Sequence, residues 1–310
     1  MRFDQFEALK VRTPETSIFL RRGGSGPLLV LLHGFPETHL MWRDVAPLLA
    51  ERFTVICPDL RGYGRSGCPA STQDHAPYSK RSMGLDVVAL VEHFGHERAC
   101  LIGHDRGGRV AYRTALDHPD RVSRLAVLDI LPVSEVWARA DKNLALGYWP
   151  WSLLAQAEPL PERLIAAAPA AVVDNALQGW GSRSKAFSAD VREAYIDALS
   201  DPAHVHAICE EYRAAAAIDC EHDESDRAMN RKIACPVLVL WSRSGPLGQW
   251  YENDGGPLGL WSRWAEEVDG FPLDFGHFFP EEAPQETANH LIRFLERSLE
   301  PEDHQRRLPA

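Results

Sequence analysis

The residue with the clearest chemistry lies at the centre of the pentapeptide GHDRG at positions 103–107. Glycine at both ends allows a tight strand-to-helix turn, and the central side chain then stands exposed at the helix N-terminus. Here that residue is Asp105, and the partial positive charge of a helix N-terminus favours an anion. A helix-capping aspartate would also suit the pentapeptide. Its place after an apolar run and before a helical segment favours an ionised carboxylate nucleophile.

Such a nucleophile needs a base and an acid elsewhere in the chain. It attacks a saturated carbon that bears a leaving group or a strained oxygen, and water must then hydrolyse the resulting ester. His277 follows a predicted last strand and precedes a C-terminal helix, where the base is expected. The orienting carboxylate usually lies in the segment that here reads WSRSG at 241–245, which has none. Asp129, at the end of LAVLD, is therefore the predicted acid.

Donors to a carboxylate are predicted on either side of Asp105. The segment HGFP at 33–36 is similar to an oxyanion-hole loop, in which the backbone N–H of Phe35 would pair with that of Arg106. Arg106 and Arg109 are three apart on one helical face. Their guanidinium groups could bind a substrate carboxylate, although a surface ion-pair face is the plainer alternative.

Short apolar runs bring these residues to the ends of strands. Runs of this length that are bounded by turns are typical of buried parallel strands. They are LLVLLH at 28–33, FTVICP at 53–58, CLIGH at 100–104, LAVLD at 125–129 and VLVLW at 237–241. Helical patterns at 83–94, with Gly95 as a C-cap, and from 105 to Pro119 alternate with them. This alternation predicts an α/β fold with a mostly parallel, doubly wound sheet that binds ligands at the carboxyl ends of its strands.

The alternation stops after about Pro132. The following hundred or so residues are rich in Ala, Trp and Pro, with helical patterns such as 202–217 and no buried-strand run. We therefore predict one core in two parts, 1–132 and 232–310, with an all-helical lid inserted at 133–231.

Composition limits the partners. The formal net charge of −11 disfavours nucleic acid and anionic membranes. An anionic substrate would therefore need local positive charge. Six scattered cysteines predict reduced thiols. The N-terminus is unlike a signal peptide, and no apolar run reaches about 18 residues. We expect a cytoplasmic enzyme, and no metal-ligand spacing or cofactor motif implies a metal or an organic cofactor.

Several segments resemble the fluoroacetate (haloacetate) dehalogenases, and together they span nearly the whole chain. They are LLHGFPETHLMW, PDLRGYGRS, GHDRGGRVAYR, LAVLDILP, YWPWSLLAQAEPLPE, CEEYRAAAAIDCEHD and GHFFPEEAP. The resemblance implies an α/β-hydrolase fold and a homodimer. It also implies that Asp105 attacks carbon, His277 activates water and Asp129 supports His277. Arg106 and Arg109 would hold the carboxylate of a small anionic haloacid.

The lid departs from this family at one position. A His, a Trp and a Tyr of the family's lid bind the leaving halide, and the last two correspond to Trp151 and Tyr212. Pro150 stands where the His would be and has no side-chain donor. This difference weakens the expectation of defluorination but not that of hydrolytic dehalogenation in general.

Two other functions remain open. Epoxide hydrolases use the same Asp nucleophile with two lid tyrosines, and Glu37 in HGFPE is frequent among them. The lid offers Tyr148, Tyr195 and Tyr212 for that role. A non-catalytic small-molecule receptor on a hydrolase scaffold is the third hypothesis, which the full Asp-His-Asp set disfavours. The leading prediction is a 2-haloacid dehalogenase that gives a 2-hydroxy acid and halide.

Overall fold

A computed structural model describes residues 1–182 and 186–297 of the chain. Its centre is an eight-stranded sheet with the order β1-β2-β4-β3-β5-β6-β7-β8. The strands are β1 (Glu7–Arg12), β2 (Ser17–Gly23), β3 (Leu28–Leu32), β4 (Thr54–Pro58), β5 (Ala99–His104), β6 (Val122–Leu128), β7 (Val237–Ser242) and β8 (Val268–Leu273). The last six in this order are parallel, whereas β1 and β2 pair antiparallel at one edge. The predicted doubly wound, mostly parallel sheet is confirmed.

The middle strands are buried on both faces, which explains their uninterrupted apolar runs. In β3, Leu28, Val30 and Leu32 belong to one hydrophobic cluster. Leu29 and Leu31 belong to a second cluster on the opposite face. The alternation follows from the two-residue period of a strand. β5 pairs with β3 and therefore lies in the middle of a sheet whose two faces are both covered by a hydrophobic cluster.

Helices cover both faces of the sheet. Those within the two core segments are α1 (Ala46–Leu49), α2 (Lys80–His93), α3 (Asp105–Asp117), α12 (Pro246–Trp250), α13 (Gly256–Trp261), α14 (Phe279–Glu282) and α15 (Pro284–Glu296). Gly95 follows α2 with a φ of 73°, as the predicted C-cap requires. The helix predicted after residue 105 is α3. Short 3₁₀ turns lie at Phe3–Gln5, His39–Trp42, Ala76–Tyr78, Pro119–Arg121 and Glu252–Asp254.

Eight α-helices lie among the described residues between β6 and β7. They are α4 (Val133–Trp137), α5 (Lys142–Gly147), α6 (Trp149–Leu154), α7 (Leu160–Ala167), α8 (Pro169–Gln178), α9 (Ala189–Ala198), α10 (Pro202–Ala216) and α11 (Ile218–Ala228). We propose that this segment is the lid expected at 133–231. Among the described residues, no helix is long and apolar enough to cross a membrane.

Candidate active site

Asp105 stands on a sharp turn between β5 and α3. Its φ is 41°, in the left-handed region that non-glycine residues rarely adopt. A Cβ atom on Gly103 would lie 2.4 Å from the carbonyl oxygen of Gly107, and one on Gly107 would lie 2.4 Å from that of His33. Neither distance is sterically tolerable, so the turn needs glycine at both ends of GHDRG. The strained conformation lifts the Asp105 side chain above the carboxyl edge of the sheet.

The Asp105 carboxylate is held by one backbone donor and one arginine. The N–H of Phe35 donates to Oδ2 at 3.2 Å, and Nη1 of Arg109 donates to Oδ1 at 2.7 Å. Burial opposes ionisation of this group, but the charges of Arg109, His277 and Arg106 outweigh it and lower its pKa to about 2. The carboxylate is thus an anion at neutral pH and needs no base to become nucleophilic.

His277 and Asp129 meet beside Asp105. Nδ1 of His277 lies 2.6 Å from Oδ2 of Asp129. The backbone N–H of Ser242 donates to the other oxygen at 2.8 Å. Asp129 follows β6 with a φ of 52°. β6 lies between β5 and β7, so the neighbouring strands supply the nucleophile, the acid and a donor that fixes the acid.

The three predicted catalytic side chains face one small cavity. Its nine described lining residues are Asp105, Arg109, Asp129, Tyr148, Pro150, Trp151, Trp180, Tyr212 and His277. The volume of this cavity is only about 10 Å³. That is room for roughly one water molecule. In this conformation the site therefore suits a very small ligand.

Two of the three lid tyrosines considered for an epoxide reach this cavity. They are Tyr148 and Tyr212. Oη of Tyr148 is buried without a hydrogen-bond partner among residues 1–182 and 186–297. Burial raises the pKa of both phenols well above the ordinary value, so both remain hydrogen-bond donors. Tyr195 instead donates to Oε1 of Glu281 at 2.9 Å and lies outside the cavity lining.

Trp180 is a cavity residue that sequence reasoning missed. Its ring centroid lies 5.2 Å from that of His277, at an interplanar angle of 85°. Its backbone oxygen accepts the N–H of His277 at 3.1 Å. The segment GWG at 179–181 gives no chemical signal of this position, because the contact spans almost a hundred residues of sequence.

The two arginines have different surroundings. Arg109 lines the cavity, and its buried Nε has no partner among the described residues. Arg106 lies behind the cavity wall, with its guanidinium carbon 3.9 Å from the ring centroid of Tyr212. Its Nε and Nη2 bind the carboxylate of Glu211 at 2.6–2.9 Å, whereas Nη1 is buried and unpaired within the described part of the chain. The two arginines predicted to bind a substrate carboxylate therefore differ: Arg109 lines the cavity, whereas Arg106 lies behind the cavity wall.

A buried polar network supports His277 from below. Nε2 of His104 lies 2.9 Å from the backbone oxygen of His277, and its Nδ1 lies 3.0 Å from Oε2 of Glu37. Burial lowers the pKa of His104, so its neutral ring donates from Nε2 and accepts at Nδ1. Glu37 must then carry the proton. Burial raises the pKa of Glu37 to about 7 and also raises the pKa of Glu281 well above its ordinary value.

Comparisons with known proteins identify the family to which the chain is similar. A family model described as alpha/beta hydrolase fold matches residues 27–298. A fluoroacetate dehalogenase from Burkholderia sp. is 42% identical over 294 residues, which span 94% of this chain and 95% of that protein. This identity confirms the predicted resemblance. A soluble epoxide hydrolase from Corynebacterium sp. (strain C12) is 33% identical, covering 88% and 91% of the two chains. A crystal structure from Nostoc sp. PCC 7120, assigned to the alpha/beta hydrolases, superposes with a TM-score of 0.91 at 47% identity, covering 95% and 99%.

Proposed function

The chain belongs to the α/β-hydrolase-fold family, and on that premise we propose that it is a hydrolytic dehalogenase of small 2-haloacids of the haloacetate type. One observation carries the proposal. Asp105 and Arg109 line the same small cavity, and the buried Nε of Arg109 has no hydrogen-bond partner among the described residues. A nucleophile for saturated carbon and a donor for a carboxylate are thus both within reach of a two-carbon acid.

In the first step, Arg109 binds the substrate carboxylate, and Arg106 adds its positive charge from behind Tyr212. An Asp105 oxygen attacks the carbon that bears the halogen. The carbon–halogen bond breaks, and its electron pair leaves with the halide. Tyr212 and Trp151 donate to the departing ion, and the hydroxyl of Tyr148, which has no partner within the described part of the chain, is a further donor in the same wall. The product is an ester of Asp105.

In the second step, Nε2 of His277 takes a proton from water, and the hydroxide attacks the carbonyl carbon of the Asp105 ester. Asp129 stabilises the imidazolium that forms, because it holds Nδ1 at 2.6 Å. The N–H of Phe35 already contacts Asp105 Oδ2 and stabilises the oxyanion of the tetrahedral intermediate, beside the N–H of Arg106 at the helix start. As the tetrahedral intermediate collapses, His277 gives its proton to the departing alkoxide oxygen, and the 2-hydroxy acid is released. The Asp105 carboxyl then loses its proton to solvent and is restored as the carboxylate.

An epoxide hydrolase is the second candidate, and a specific feature favours it. Tyr148 and Tyr212 both line the cavity as protonated phenols. Two phenols that donate to an epoxide oxygen would activate the ring toward the same Asp105. The small cavity does not separate the two functions, because a haloacetate and an epoxide are both larger than one water molecule and either would need the cavity to widen.

A halide-release screen separates these functions. Fluoro-, chloro- and bromoacetate are compared with a panel of small epoxides, with Asp105→Asn as the matched inactive control. We expect halide release from the haloacetates and little diol formation. The reverse result would establish the epoxide hydrolase, and inactivity toward both classes would favour the receptor hypothesis.

The covalent step has its own test. A single turnover of the wild-type enzyme in ¹⁸O-water should place label in the Asp105 peptide, because water attacks the ester carbonyl. Label found only in the product of the first turnover would mean that water attacks the substrate directly. By the same resemblance to the dehalogenases we propose a homodimer, which light scattering after gel filtration measures.

A further inference from the structure

Arg106 is tied to a buried group of charges outside the cavity. We define the Glu211 cluster as Lys80, Arg106, Glu211 and Asp219, whose side chains are all at least 97% buried. Glu211 stands at the centre and binds both Nζ of Lys80 and the guanidinium of Arg106. Asp219 accepts the backbone N–H of Lys80 at 2.8 Å and lies 3.4 Å from its Nζ.

The cluster joins the core to the lid. Lys80 is the first residue of α2 and Arg106 the second residue of α3, whereas Glu211 lies on α10 and Asp219 on α11. Tyr63 from the core also donates to Glu211, at 3.3 Å. Since Glu211 holds two of the three guanidinium nitrogens, it fixes the plane in which Arg106 stacks on Tyr212. Glu211 is therefore a positioning residue for Arg106.

The charges of the cluster balance. Lys80 and Arg106 contribute two positive charges, and Glu211 and Asp219 contribute two negative ones. Lys80 shares Glu211 with Arg106, so the carboxylate does not cancel the charge of Arg106 alone. Asp219 in turn offsets part of the charge of Lys80. None of these side chains lies in the described cavity lining, yet Arg106 is stacked on two of its residues, Tyr212 and Trp151.

We propose that Lys80 and Asp219, which do not touch the cavity, set the affinity of the site for an anion. They do so because they set the net charge of the Glu211 cluster, to which Arg106 belongs. The inference rests on the proposed anionic substrate. In a buried region of low effective dielectric constant, a unit charge acts over a longer range than in water. Loss of Lys80 makes the cluster net negative and repels an anion in the cavity. Loss of the Asp219 charge makes it net positive and attracts one.

The test measures the dissociation constant of acetate, an unreactive carboxylate, by isothermal titration calorimetry. Lys80→Met should weaken acetate binding by about three- to ten-fold, which is the effect of one unit charge across roughly 12–25 Å at an effective dielectric constant of about 20. Asp219→Asn should strengthen it by a similar factor, and its amide oxygen can still accept the N–H of Lys80. The Lys80→Met/Asp219→Asn double variant is neutral again and should bind acetate about as the wild type does.

Two further variants serve as controls. Asp226→Asn removes a buried carboxylate that is paired with Arg113 and lies outside the Glu211 cluster, so it should strengthen acetate binding less than Asp219→Asn does. Arg109→Leu should abolish binding, which shows that acetate occupies the cavity. Lys80→Met is expected to weaken acetate binding and Asp219→Asn to strengthen it. This difference is informative because structural damage weakens binding and cannot strengthen it. Asp219→Asn therefore decides the matter even if Lys80→Met fails to fold.

The outcomes separate this inference from the proposed function. Acetate binding that weakens or stays unchanged in Asp219→Asn overturns the inference, as does a wild type that binds no acetate. The expected pattern of affinities in a protein that releases no halide from haloacetates supports the inference and rejects the dehalogenase. Halide release from haloacetates, together with acetate affinities that do not change in the Lys80 and Asp219 variants, supports the dehalogenase and overturns the inference.

Discussion

Replacing Pro150 with histidine should raise the rate of defluorination relative to dechlorination. Pro150 lines the cavity beside Trp151 and is buried at the second position of α6. Fluoride is small and strongly solvated, so its departure depends more than that of chloride on donors that replace its water shell. Tyr212, Tyr148 and Trp151 provide donors in this wall, and Pro150 provides none.

The size of the effect follows from this position. The backbone N–H that histidine would restore lies in the first turn of α6, where no intrahelical acceptor is needed, so the helix loses no hydrogen bond. A donor to an ion in a site shielded from water contributes about 1.5–3 kcal/mol. If this contribution arises only as charge develops on the halide, the rate of fluoride release rises by about ten- to a hundred-fold. Chloride leaves more readily and should respond less.

The assay compares initial rates of fluoride and chloride release from fluoro- and chloroacetate. Pro150→Leu is the matched control, because it frees the backbone and fills similar space without a donor. Thermal melting of both variants checks that the lid remains folded. If Pro150→His melts as the wild type does and its fluoride-to-chloride ratio does not exceed that of Pro150→Leu, position 150 does not contact the leaving halide, and the correspondence of the lid residues is wrong.

Three other predictions address the remaining parts of the site. His277→Asn should accumulate the Asp105 ester, seen as a persistent adduct by mass spectrometry, because only hydrolysis of the ester needs the base; an unmodified, inactive protein would place His277 in the first step. Arg109→Leu should abolish turnover of haloacids while the melting temperature stays within a few degrees, and near-normal turnover would locate the carboxylate contact elsewhere. Glu37→Gln should flatten the pH dependence of unfolding free energy between about pH 4.5 and 7. The folded-state pKa of Glu37, about 7, exceeds its ordinary value of 4.5, so the wild type loses this contribution as the pH rises through that window. Urea unfolding at pH 5 and pH 7.5 measures the slope, and equal slopes in the two proteins would contradict a proton on Glu37.

Sequence reasoning reached the turn and its flanking strands because these depend on local rules. Gly103 is required by its close contact with Gly107, and Gly107 by its close contact with His33, which follows β3. The pentapeptide therefore predicts a tight turn by itself. Apolar runs reveal β3 to β7 in the same way. The sequence analysis did not predict β1 or β2. β1 is an edge strand with mostly exposed side chains, so it has no continuous apolar run.

From the sequence by itself we predicted Asp105 as the nucleophile, His277 as the base and Asp129 as the acid, at the end of the strand that follows the Asp105 turn in the chain. Only the tertiary structure decided which lid residues meet them. The sequence does not distinguish the lid tyrosines Tyr148 and Tyr195, yet Tyr148 lines the cavity and Tyr195 donates to Glu281. Glu211 lies 105 positions from Arg106, and nothing in the spacing of these residues links them. The physical reason is that strand and turn geometry follow from short-range sterics and periodicity, whereas the docking of the lid depends on packing and charge pairing between segments far apart in the chain.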